Sequence, residues 1–186
     1  MPANQRLFSV TSLLLKIATW FCWFLVAVLT LALGAVVVGL VAALVAPSLL
    51  AQLDIPAELH AMPLLPVLGA ALFALGGGLI CMIFVLLAVK ATSGIVDTAV
   101  AGDPFVGENA ERLKRIGWCL AGIMVVQFLT LIVIAGIVPE NLPKGMNLSG
   151  GSEPDPVGLL AVLLVFVLAR IFKHGTQMRD ELEGTV

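Results

Sequence analysis

Residues 17–46, "IATWFCWFLVAVLTLALGAVVVGLVAALVA", contain no charged side chain, and nothing else in the chain narrows its fold as much. Thirty residues of helix reach about 45 Å, beyond the ~30 Å hydrocarbon core of a bilayer, so a helix here must tilt or protrude. A secretory leader has an apolar stretch of only about 7 to 15 residues. The run therefore reads as a retained first span with nothing N-terminal removed. Three further apolar runs, at residues 66–89, 116–138 and 157–172, raise the mean hydropathy to +1.11. Spans are expected at all four runs, the last one short and accommodated by snorkelling of Arg170 and Lys173 or by local bilayer thinning. A single all-α membrane domain over residues 1–186 follows, with four transmembrane helices in two hairpins.

Charge decides the orientation. Arg6, Lys16, Lys90, Arg112, Lys114, Arg115, Arg170, Lys173 and Arg179 fall on one side of four spans, and Lys144 falls alone on the other. Nine against one is a strong positive-inside bias. Both termini are expected in the cytosol, together with segments 1–16, 90–115 and 173–186, and the connectors around 47–65 and 139–156 lie outside. Trp20, Trp23 and Trp118 sit near the cytosolic ends of spans one and three, where indoles anchor at the interface. A net charge of −2 with ten basic residues in all argues against a nucleic-acid surface.

One segment departs from the apolar background: "AGDPFVGENAERLKRIGW", residues 101–118, carries five charged side chains between Glu108 and Arg115. Asp103 before Pro104 suits an N-cap with proline at the first helical position, although a start at Gly107 is also open. Glu108 with Arg112 and Glu111 with Arg115 are spaced i, i+4, acid first, as favourable exposed ion pairs are. A short cytosolic amphipathic helix leading into span three is expected. It is either a solvated helix end or a docking surface for a cytosolic protein or anionic lipid. Pro104, Phe105, Asn109, Arg112, Leu113 and Arg115 are the candidate docking residues. A faint echo links "LAVKATSG", residues 87–94, with "LARIFKHG", residues 168–175, each closing a span on L-A-x5-G.

Inside the spans the chemistry is sparse. No acid, lysine or histidine lies in the interior of any run, which argues against a proton-coupled carrier. Gln127, with Thr130 nearby, is expected to point inward and bond across helices, or else to touch a substrate. Ala70, Ala74 and Gly78 form a small-residue stripe against which a helix packs, within the chain or across a dimer. Cys22, Cys81 and Cys119 lack metal-ligand spacing and read as packing residues. His174 reads as an interfacial side chain. No nucleophile and base stand in motif spacing, and no HExxH or phosphate loop is present, so neither an enzyme nor a cofactor is expected.

Two patterns are similar to a bacterial membrane family catalogued as domain of unknown function 2975. The first is G-x-P-F followed by N-x-x-R-L-x-x-I-G, carried by Gly102, Pro104, Phe105, Asn109, Arg112, Leu113, Ile116 and Gly117. The second is F-x-x-G, then acids and a terminal T-V, carried by Phe172, Gly175, Glu181, Glu183, Thr185 and Val186. The resemblance covers most of the chain. It implies a four-span protein of the bacterial inner membrane with no established activity. It also implies a neighbouring small helix-turn-helix regulator that such a protein sequesters or modulates. The expected function is therefore non-enzymatic, regulatory or scaffolding, with a small oligomeric exporter or permeation protein as the alternative. The expected partners are the lipid bilayer, a cytosolic regulatory protein and a second copy of the chain, and no nucleic acid is bound directly.

Overall fold

The computed structural model describes residues 3–45, 64–137 and 156–183, all but a short connection of them helical. Four helices follow one another: α1 Ala3–Val45, α2 Leu64–Val100, α3 Gly107–Ile137 and α4 Pro156–Glu183, and no strand occurs among the described residues. Each contains a stretch long and apolar enough to cross a membrane: Thr11–Val45, Leu64–Val100, Gly107–Ile137 and Pro156–Arg179, with mean hydropathies of 2.8, 2.7, 2.5 and 2.2. The four apolar runs thus lie on four helices, as expected of a four-span membrane protein. The connectors near 47–63 and 139–155, with Lys144, and the terminal Thr185 and Val186 lie outside the described residues.

The helices outlast their apolar runs. α2 continues eleven residues past Val89 to Val100, and α4 continues from Phe172 to Glu183. Hydroxyls in these extensions bond back to the helix itself. Thr92 Oγ1 donates to the Ala88 carbonyl at 2.9 Å, Ser93 Oγ to Val89 at 3.1 Å and Thr176 Oγ1 to Phe172 at 3.0 Å. Such bonds satisfy a hydroxyl without a partner on another element. The short fourth run is embedded in a helix of 28 residues, about 42 Å long. Pro156 opens α4 and Pro66 lies in the first turn of α2, where a missing N–H costs nothing.

α2 ends in a Schellman turn. The Gly102 N–H donates to the Ala99 carbonyl at 3.2 Å and the Asp103 N–H to that of Thr98 at 3.0 Å, with Gly102 at φ 88°. That pair of bonds defines the motif, and its left-handed residue favours glycine. Asp103 consequently closes α2. It is not the N-cap expected for the next helix, which starts at Gly107. The charged segment beyond is the opening of α3 itself, running into the apolar part without interruption.

The chain divides into two compact units. The first gathers α1 up to Phe24, α2 from Met82, α3 up to Met124, and α4. Its buried apolar residues are mostly small: Cys22, Leu86, Ala91, Ala110, Cys119, Val162 and Ala169. α3 packs on two neighbours. Gly122 receives the Phe84 ring of α2, and Gly117 receives the Phe166 ring of α4, so a Cβ would stand 2.9 and 3.1 Å from the respective ring. Trp118 meets Phe166 edge-on at 5.5 Å. Cys22 and Cys119 fill the core as packing residues, with exposures of 6% and 4%. Contacts of α3 in this unit therefore reach both α2 and α4.

The second unit comprises α1 from Leu25, α2 up to Cys81 and α3 from Val125. Leu68 packs near Gly39, Ile137 near Gly69, and the Thr130 hydroxyl lies directly over Gly77. Ala70 is buried, but Ala74 is exposed and Gly78 faces open space. The expected stripe of Ala70, Ala74 and Gly78 is thus only partly the packing seam, which runs through Ala70 and Gly77. Gln127 is exposed on α3, so the expectation that it points inward does not hold within the chain.

Candidate binding site at the charged helix ends

Within the first unit, the charged end of α3 is built around a buried amide. Asn109 has 0% exposure. Its Nδ2 donates to Thr98 Oγ1 at 2.7 Å and to the Pro104 carbonyl at 2.9 Å, and its Oδ1 accepts from Arg112 Nη1 at 2.8 Å. Arg112 Nη1 also donates to the Gly94 carbonyl on α2 at 3.0 Å, and Nη2 donates to Glu108 Oε2 at 2.9 Å. Thr98 Oγ1 in turn donates to the Ile95 carbonyl at 2.9 Å. No buried side-chain polar atom among the described residues is left without a partner. A satisfied polar network of this kind holds one geometry, because any rearrangement strands a desolvated donor or acceptor. Here it latches the start of α3 to the end of α2 and fixes segment 101–106 between them.

Glycine makes the latch fit. A Cβ at Gly94 would stand 2.8 Å from Arg112 Nε, so the guanidinium reaches the α2 backbone only because position 94 lacks a side chain. Gly94 and Gly175 are the closing glycines of the two echoed segments, and their surroundings differ: a Cβ at Gly175 would make only ordinary contact with the Phe105 ring, at 3.4 Å.

The candidate docking residues therefore separate. Asn109 is buried and Arg112, 26% exposed at its side chain, has its guanidinium committed to three acceptors. Both take part in the latch, Asn109 fully buried and Arg112 half-buried. Pro104 and Leu113 are half-buried, the former as an acceptor in the latch. Arg115 is exposed. Phe105 is 46% exposed, yet it stacks on Phe172 of α4 with ring centroids 5.4 Å apart. Of the two expected ion pairs, Glu108 with Arg112 forms at 2.9 Å, whereas Glu111 lies 3.9 Å from Lys114. Asp103 pairs with Arg179 of α4, and Thr176 Oγ1 approaches the Phe105 carbonyl at 3.4 Å, so α4 also holds the connection in place.

Between α3 and α4 of this unit lies a groove of about 1130 Å³. Phe105, Phe166, Ala169 and Ile171 supply apolar walls, and Lys114, Arg170, Lys173 and Arg179 supply cations, against the carboxylate of Glu111 among the described residues. The sequence did not point to this groove, since its walls come from helices more than fifty residues apart. Only the run of Arg170, Lys173 and Arg179 along α4 hinted at a basic lining. Among the described residues no three His, Cys, Asp or Glu side chains gather as a metal site.

A family model described as "Protein of unknown function (DUF2975)" matches residues 50–186. No curated protein and no solved structure matches the chain.

Proposed function

The chain belongs to the DUF2975 family, and from that premise we propose that it is a non-catalytic integral membrane protein whose cytosolic face binds a soluble regulatory protein. In this reading it crosses the bacterial inner membrane four times as two hairpins with both termini inside, and the nine-to-one cation asymmetry supports that orientation. One observation carries the docking reading. The Asn109 latch spends a fully buried amide on holding a short connection still, while Val100 and Phe105, 55% and 46% exposed, stand at its edges. A rigidly presented apolar pair reduces the ordering entropy a partner must overcome. The partner is a small helix-turn-helix regulator of the kind that members of this family resemble in having beside them.

Photo-crosslinking from positions 100 and 105 in native membranes, followed by mass spectrometry, tests this. A small DNA-binding protein attached at both positions is the expected result; lipid alone, or the protein's own peptides alone, removes the docking reading. A second reading, a permeation path shared between copies, draws on the exposure of Gln127 in the apolar part of α3. It requires solute flux in proteoliposomes that Gln127→Leu abolishes at unchanged folding.

A further inference from the structure

We propose that the groove between α3 and α4 is a binding site for one anionic phospholipid, with its phosphate among Lys114, Arg170 and Lys173 and an acyl chain against Phe166 and Ala169. The placement of charge relative to the apolar runs carries this. The run on α3 begins at Ile116 and that on α4 ends at Phe172, so Lys114, Arg170 and Lys173 lie within a turn of both limits. Contact between Gly117 and Phe166 sets α3 and α4 in register, which brings Lys114 level with the turn of Ala169 and Arg170. The cations therefore sit at the depth where a bilayer holds its phosphates, and the apolar walls continue below them at the depth of its chains.

Charge complementarity points the same way. Among the described residues, four cations line the groove against one carboxylate, Glu111. Arg179 is held by Asp103 and Lys114 stands 3.9 Å from Glu111, but Arg170 and Lys173 are exposed and make no ion pair with any described residue. A soluble protein could reach the upper rim. It would have to push a side chain into hydrocarbon to fill the floor formed by Phe166 and Ala169, which a lipid fills by standing in its own leaflet. Nothing in this assignment depends on which compartment the charged end faces.

Native mass spectrometry of the full chain in detergent, titrated with phosphatidylglycerol or phosphatidylcholine, provides the test. The expected result is one tightly retained phosphatidylglycerol and no comparable retention of phosphatidylcholine. Arg170→Ala with Lys173→Ala should weaken the anionic lipid roughly 30-fold, the factor for two cations near a membrane surface. Arg170→Lys with Lys173→Arg should retain it. Lys16→Ala with Lys90→Ala removes the same charge outside the groove and should shift binding less than twofold, and millimolar inorganic phosphate should not displace the lipid. Equal retention of the two lipids, an equal loss in the Lys16 and Lys90 variant, displacement by phosphate, or a polypeptide bound in place of lipid would each overturn the assignment. Unchanged thermal unfolding of the Arg170 and Lys173 variant separates lost binding from lost folding.

Discussion

Asn109→Ala leaves three neighbours short of a partner: Thr98 Oγ1, the Pro104 carbonyl and Arg112 Nη1. Stranding buried polar groups costs about 1–3 kcal/mol, and Arg112→Ala should cost a similar amount by releasing the Gly94 carbonyl and Asn109 Oδ1. Because both side chains serve one network, their effects should not add. The double variant should fall short of the sum by about 0.5–3 kcal/mol in detergent-based unfolding, whereas independent contributions would give simple additivity. The spacing of Asn109 and Arg112 was legible in the sequence, but its meaning was not. Their acceptors Thr98 and Gly94 are on the preceding helix, 11 and 18 residues away. A polar pair at i, i+3 looks the same whether it faces water or a neighbouring backbone, and only the partner helix decides.

Consecutive glycines in α2 have opposite surroundings. Gly78 has open space where a Cβ would stand, while Gly77 lies under the Thr130 hydroxyl. Gly78→Ala should therefore stabilise the helix by about 0.5–1 kcal/mol through its backbone entropy. Gly77→Ala should destabilise by about 1–3 kcal/mol through overpacking, and Thr130→Ala in the same chain should restore most of that loss. Thermal unfolding of the three variants in one detergent measures all of it, and equal responses at Gly77 and Gly78 would contradict the assigned seam. Helix number and type were legible because uncharged apolar runs have few alternatives. The packing face was not. Residues spaced by four drift about 40° per step around a helix, so a stripe from Ala70 through Ala74 leaves the seam, whereas Ala70 and Gly77, seven apart, nearly return to it. The extension of α2 to Val100 was not legible either, since the apolar run stops at Val89 and the hydroxyls of Thr92, Ser93 and Thr98 bond back along the helix, which hydropathy does not register.

Among the described residues, large apolar side chains are displayed and small ones are buried. Trp20, Leu31 and Val45 are 79%, 76% and 78% exposed, while the core is mainly alanine and cysteine. Burial of apolar area within the chain cannot be what holds such a protein in place; small residues let helices approach, and lipid covers the rest. In that setting the cations decide which way the helices stand, as translocating a basic segment is the costly step in insertion. The proposed orientation places His174 and Lys144 in different compartments, and single cysteines at these positions read that out. In a background with Cys22, Cys81 and Cys119 replaced by alanine, Lys144→Cys should react with a membrane-impermeant maleimide added to intact cells, and His174→Cys only after the membrane is opened. Labelling of position 174 in intact cells would invert the topology, and the segment from Val100 to Phe105 would then face a compartment in which no DNA-binding regulator resides. The phospholipid groove would survive that result with its leaflet exchanged, because its cations follow the depth of the bilayer and not its sidedness.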